Sequence, residues 1–224
     1  MSIKQSLRSS DGARVLVTTT LSALARARFR AGSRGTGNRL EIAEGCVTRG
    51  VRFEIQGNDN LVRIGAGARL HDLRIRIEGE GNRIILGDRV AFVQWGILRL
   101  EGDANELSIG ANSTVEAATL GVMEGTALRI GSGCLLAWQV EIRTGDSHPI
   151  FDRESGERIN PSQSVSIGER VWLGKRSVVL KNVSIADGVI IGAGSMVSRS
   201  IGDENAVAVG NPARVVRHGV RWTQ

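Results

Sequence analysis

Residues 165–200 divide into six consecutive hexads, VSIGER, VWLGKR, SVVLKN, VSIADG, VIIGAG and SMVSRS, and no other feature of the chain limits its fold so tightly. The third place is aliphatic in all six: Ile167, Leu173, Val179, Ile185, Ile191 and Val197. The first place holds Val165, Val171, Ser177, Val183, Val189 and Ser195. The fourth is often small, as at Gly168, Gly174, Ala186 and Gly192. A period of six fits neither a helix nor a plain strand. Within each hexad, however, places one and three point to the same side, as strand alternation requires. The small residue then permits a turn. The two serines at place one stand 18 residues apart, so three hexads close one coil. Stacked coils bury a continuous apolar interior, and each is stabilised by its neighbours. The expected fold is all-β, a triangular parallel β-helix.

A wider beat precedes this one. Asn38, Asn60, Asn82 and Asn105 recur at steps of 22, 22 and 23. Four residues after each comes an aliphatic side chain, Ile42, Ile64, Leu86 and Ile109, and Ile130 continues the row after 21. These coils are expected to carry about four extra residues at one corner relative to the later ones. The asparagines are expected to stack there as a hydrogen-bonded ladder. The beat breaks between Thr144 and Ser164, a polar stretch with two of the three prolines and one of the three histidines. Long interruptions of a regular array are usually functional.

Composition agrees and removes other classes. The chain has 224 residues, enough for one well-buried domain, and its 29 Gly against 4 Phe, 4 Trp and no Tyr suit a narrow interior with tight corners. The net charge of +6 is unevenly placed: residues 1–39 hold eight basic residues and one acid (+7), leaving −1 for the remainder. A neutral body without a base-reading motif argues against nucleic-acid binding. Three scattered histidines supply no metal cluster, which argues against a metal-dependent hydratase. Cys46 and Cys134 make no disulfide framework and read as structural residues within coils.

The leader is shorter on signal. Its apolar run Val15–Ala25 is too short to span a bilayer. As a signal peptide it is poor, because Arg26, Arg28 and Arg30 follow the apolar part. Leu21–Arg30 reads as a helix stopped by Gly32, with Leu21, Leu24, Ala25 and Phe29 on one face. Two readings stay open: a cap on the end of the solenoid, or a basic amphipathic helix on an anionic membrane. The expected organisation is a basic, partly helical segment 1–37, a β-helix 38–217 with a protruding loop 144–164, and a tail 218–224.

Three groups of residues carry a family resemblance. Asp146-Ser147-His148-Pro149 stands before the regular coils, Val171-Trp172-Leu173-Gly174 opens the next one, and Ile191-Gly192-Ala193-Gly194-Ser195 with Gly210-Asn211-Pro212-Ala213-Arg214-Val215-Val216 closes the array. With these the chain resembles the hexapeptide-repeat acyltransferases over residues 38–217, which implies a left-handed parallel β-helix. The run from His148 to Asp152, the run from Gly156 to Asn160, the wide coils and the basic leader are most similar to O-acetyltransferases of capsular and other surface polysaccharides.

The resemblance implies acetyl-coenzyme A as donor, a saccharide hydroxyl as acceptor, and a homotrimer with sites between adjacent prisms. It implies a cytoplasmic location, with residues 1–30 able to touch the inner face of the membrane, and neither a metal nor nucleic acid. His148 matches the catalytic histidine, and its ordinary pKa suits a general base. Asp146 either orients that ring or is a turn residue. Trp172 either lies beside the donor and acceptor or points outward at a subunit interface. The pantetheine arm would run past Gly174, Gly192 and Ala193. Ser198 and Arg199 match a Thr/Ser-Lys pair, and Arg214 and Arg217 match basic positions near the nucleotide phosphates. Lys175 and Lys181 are weaker candidates, and each of these cations equally reads as a solvated surface charge. N-acetyl transfer to an amino sugar and a non-catalytic scaffold are the alternatives.

Overall fold

The structure, a computed structural model, describes residues 23–223. Its strands follow the hexad rule residue by residue. All twelve side chains at places one and three of residues 165–200 are buried. Aliphatic side chains removed from water in this way contribute about 1.5–3 kcal/mol each, and they form one interior column that continues through the earlier coils. Place two faces outward, which leaves Trp172 at 36% exposure.

Each coil has three sides. Arg39–Ile42, Leu61–Ile64, Arg83–Leu86, Glu106–Ile109, Ala127–Ile130, Val165–Ile167 and Ser184–Ile185 stack in parallel as the first side. A second sheet wraps the other two sides. Its long strands Ala91–Glu101, Thr114–Met123 and Leu135–Arg143 bend round the corner between them, with register shifts at the bend. Trp95 and Trp138 meet there edge to face, with ring centroids 6.4 Å apart. Between residues 165 and 200 the pairings step by 18, Ser166 with Ser184, Trp172 with Ile190 and Val178 with Met196, and the step shortens to 17 where Ile190 meets Val207.

The wider coils differ at one corner, as expected. The chain takes four residues from Val179 on the third side to Val183, which starts the next first side. It takes nine from Ile75 to Ile84 and from Leu98 to Leu107, at equivalent places. That corner holds the asparagines. The backbone N–H groups of Asn60, Asn82 and Asn105 each donate to the side-chain Oδ1 of the asparagine one coil earlier, at 2.9–3.0 Å. Nδ2 of Asn60 and of Asn105 adds a second bond to the same oxygens, at 3.0 and 2.9 Å. Gly125 N caps the column on Asn105 Oδ1 at 3.0 Å. Asn60, Asn82 and Asn105 are all but completely buried, where an unpaired polar group is costly.

Residues 23–32 are helical and close the first end of the solenoid. Ala25 and Phe29 are buried, and Phe29 sits edge to face on Phe53 at 5.3 Å. Arg26 and Arg28 point their guanidiniums at the end-coil carbonyls of Leu40, Ile42 and Val51. Gly32 is the last helical residue, and a Cβ there would stand 1.9 Å from Phe53 O, so close approach to that carbonyl calls for glycine. Leu21 lies outside the described residues, and Leu24 is exposed. At the other end, Val207–Gly210 and Ala213–Arg217 form an antiparallel pair. Both cysteines are buried, and burial raises both thiols, Cys134 to about 11, which suits structural residues.

Candidate active site

The interruption at 144–164 leaves from the asparagine corner, one coil beyond the top of the column. Thr144 anchors its outgoing limb: its Oγ1 accepts from Met123 N at 3.0 Å and from Thr126 Oγ1 at 2.7 Å. Ser164 anchors the returning limb by accepting from Ala127 N at 3.0 Å. Between them the chain forms a hairpin. Ile159 N donates to Ile150 O, Phe151 pairs with Arg158, and Asp152 caps the tip by accepting from Glu154 N and Ser155 N. Both limbs of the loop are thus hydrogen-bonded to the same corner of the solenoid.

Glu124, at the turn one coil below, clamps the returning limb. Its Oε1 accepts from Arg158 Nη2 at 2.7 Å and its Oε2 from Ser162 N at 3.0 Å. The Arg158 guanidinium first, and the Ser162 donors after it, hold the Glu124 carboxyl down to about 2. At the neck, Asn160 is buried and Lys181 reaches in from the coil above. Asn160 Oδ1 accepts from Ile150 N at 2.5 Å, and its Nδ2 donates to His148 O at 2.9 Å and to Asp146 Oδ2 at 3.0 Å. Lys181 Nζ donates to Asp146 Oδ2 at 2.5 Å and to Asn160 O at 3.1 Å.

These bonds decide what Asp146 touches. Its carboxyl sits below the usual range because of the Lys181 ammonium and then the Asn160 amide. It meets neither ring nitrogen of His148 and reaches that residue through Asn160. The His148 ring is exposed and has no hydrogen-bond partner among the described residues. An exposed imidazole on an anchored loop can take a proton from an incoming hydroxyl. Ile150, Phe151 and Ile159 beside it are 52%, 58% and 61% exposed, an apolar rim around a polar neck.

The other residues fall into two places. Ser198 and Arg199 lie exposed at the same corner as the loop, just beyond the strand Met196–Val197 whose Val197 O accepts from Leu180 N. Trp172, Gly174, Lys175, Gly192 and Ala193 lie on the second side and its far corner. Gly194 N donates to Lys175 O there. Arg214 and Arg217 are exposed on the strand that extends that side. In a triangular prism the second side faces away from the corner that bears His148, so one chain does not bring His148 and Trp172 together. Gly174 is buried against the next coil, and a Cβ there would stand 2.6 Å from Ile191 O. Coil stacking alone therefore accounts for its glycine, whereas Ala193 is exposed.

Sequence reasoning assigned no role to Trp222, which lies in the tail. The tail folds back: Val220 N donates to Asn205 O at 2.8 Å and Trp222 Nε1 to Arg170 O at 2.7 Å. The Trp222 ring thereby lies on Trp172, with centroids 5.9 Å apart at 46°. In the sequence Asn160 belongs to a motif run but carries no role of its own, and Lys181 reads as a weak phosphate candidate or a solvated surface charge. Glu124 carried no sequence signal, because it lies 34 residues from the arginine it clamps.

Known proteins resemble both the coils and the loop-bearing body. The bacterial transferase hexapeptide (six repeats) family matches residues 164–199. A polysialic acid O-acetyltransferase of Neisseria meningitidis is 40% identical over 188 residues, which is 84% of this chain and 86% of that protein. The crystal structure of the polysialic acid O-acetyltransferase OatWY superposes with a TM-score of 0.83 at 31% identity, over 86% of this chain and 90% of that one. The structure of the polySia-specific acetyltransferase NeuO gives 0.77 at 26% identity, over 86% and 87%.

Proposed function

The chain belongs to the hexapeptide-repeat acyltransferases, among the O-acetyltransferases, and from that premise we propose that it transfers acetyl from acetyl-coenzyme A to a hydroxyl of a sialic-acid polymer. One observation carries the reading to particular residues. His148 stands with a free ring on a loop that Asn160, Lys181, Glu124 and Thr144 pin to the solenoid, and its relatives by sequence and by structure are O-acetyltransferases.

A hydroxyl is a poor nucleophile while protonated. A ring nitrogen of His148 takes its proton as the oxygen attacks the thioester carbonyl. The C–S bond of the tetrahedral intermediate then breaks, and the coenzyme thiolate takes the proton from the imidazolium. The products are the acetyl ester and free coenzyme A, with the histidine restored. The Asp146 carboxylate is bonded by Lys181 and Asn160, so it does not accept the proton in place of His148.

The donor lies along the second side of a neighbouring copy, past Trp172, Lys175 and Ala193, with Arg214 and Arg217 of that copy and the Ser198-Arg199 pair of the loop-bearing copy meeting its phosphates. This arrangement needs a homotrimer, which would bring the loop of one copy to the second side of the next. The exposed Ile150, Phe151 and Ile159 are then covered by that neighbour. A fully active monomer would contradict this arrangement. The membrane proposal rests on the charge of the leader, since the Phe29 face of its helix is taken up by Phe53. On that proposal the enzyme works at the cytoplasmic face of an anionic membrane.

The test is acceptor-directed. The protein is incubated with acetyl-labelled coenzyme and a panel of sialic-acid polymers, neutral glycans and amino sugars. Label on the sialic-acid polymer that alkaline hydroxylamine removes supports an O-ester. Hydroxylamine-stable label on an amino sugar supports the N-acetyl alternative.

A further inference from the structure

One side chain holds the backbone on both sides of His148. Asn160 is 7% exposed, and its amide bonds three alternate positions of the outgoing limb: Asp146 Oδ2, His148 O and Ile150 N. Between the first two lies Ser147 at φ +67°, a left-handed conformation that a non-glycine residue keeps only when its surroundings hold it. Lys181 Nζ joins the two limbs by bonding Asp146 Oδ2 and Asn160 O together.

We propose that Asn160 is the positioning residue of this site. It fixes the backbone from which the His148 ring is presented, and Lys181 ties that assembly to the solenoid. The proposal rests on the reading of His148 as the base. The chemistry of the position is specific. Nδ2 must donate to a carbonyl and a carboxylate while Oδ1 accepts from an amide, and an asparagine does all three. Aspartate has the same size but no donor, and it would set a second negative charge beside Asp146. The His148 ring gains no compensating bond, so any drift of residues 146–150 passes directly to it.

The experiment compares wild type with Asn160→Asp and Asn160→Ala. It reads kcat and KM for transfer to a sialic-acid polymer, coenzyme Kd, and hydrogen exchange of the peptide spanning residues 146–152. Misplacement of a reacting group by about 1 Å can lower a rate by about 100-fold. The expected result is a kcat lower by about 10- to 100-fold in both variants, coenzyme Kd within about twofold, and faster exchange at the Ile150 amide. If neither variant folds, Lys181→Met carries the same test from the coil side, with Lys181→Arg restoring part of the lost kcat. Unchanged kcat alongside faster exchange overturns the positioning role and leaves the proposed function standing, as does a loss confined to KM. A wild type that transfers no acetyl to any saccharide overturns the proposed function, and the positioning role with it.

Discussion

Two neighbours in the asparagine column differ by one bond, and that difference fixes an order of stability. Asn60 uses its whole amide: Oδ1 accepts from Asn82 N at 2.9 Å, and Nδ2 donates to Asn38 Oδ1 and to Gly79 O, both at 3.0 Å. Asn82 Oδ1 accepts from Asn105 N and Nδ2, at 3.0 and 2.9 Å, but its own Nδ2 is buried without a partner. Truncating Asn60 to alanine strands the Asn82 N–H and removes the bond to Gly79 O. At about 1–3 kcal/mol for each stranded buried group, the loss is about 3–4 kcal/mol. Truncating Asn82 strands the Asn105 N–H, while Asn105 Nδ2 keeps Gly102 O and Glu101 O. It also removes an amide that was buried unpaired, which offsets most of that penalty and leaves a loss of about 1 kcal/mol. The space left behind is the same in both variants, so it cancels in the comparison. In a chain of this size 1 kcal/mol moves the thermal midpoint by about 2–4 °C. Circular dichroism melts should therefore show Asn60→Ala down by about 10 °C and Asn82→Ala by about 3 °C. Equal losses, or the larger loss at Asn82, would refute the bond assignment in the column.

Other consequences concern the loop, the coils and the tail. The Glu124 carboxyl titrates at about 2 when folded and near 4.5 when free, so its contribution is complete above about pH 5 and is lost as the pH falls toward 2. Solvent screening at 43% exposure holds that contribution to about 1 kcal/mol, so the stability difference between wild type and Glu124→Gln should shrink across this window; a difference that grows on acidification would contradict the clamp. Gly174→Ala should lower the melting point by several degrees, because its Cβ would press on Ile191 O at 2.6 Å, and a neutral outcome would show that the coils can separate there. Trp222→Ala should raise the accessibility of Trp172 to acrylamide quenching, and unchanged quenching would mean the tail does not cover that ring.

Period made most of the fold readable. Places one and three of the hexads are buried because strand alternation leaves them no other side. The 22-residue return of asparagine placed the ladder because a stacked coil puts equal phases above one another. The site was readable only in part. His148 stands out as the candidate base by its type, by its place in a break of the period and by its match to the family's histidine. Its supports did not, because the bonds of Asn160 to residues 146, 148 and 150 cross a hairpin with no repeat of its own. Lys181 reads from sequence as a phosphate candidate or a surface charge, and no spacing signals its 2.5 Å contact with Asp146. Sequence alone does not separate a turn role from a ring-partner role for Asp146, whose carboxylate is held by Lys181 and Asn160. Trp222 lies beyond the last coil, where no period extends, so nothing in the sequence shows the tail returning to Trp172. The apolar stripe of the helical leader allows two uses, and packing on Phe53 shows the one that Phe29 has.

The central claim is that His148 removes the acceptor proton during acetyl transfer. It is tested most directly by following labelled acetyl from acetyl-coenzyme A onto a sialic-acid polymer with wild type and His148→Ala side by side, together with coenzyme Kd for both. The account expects label on the polymer with wild type, loss of transfer by about 100-fold or more in His148→Ala, and coenzyme Kd within about twofold. Transfer by His148→Ala at the wild-type rate would contradict it.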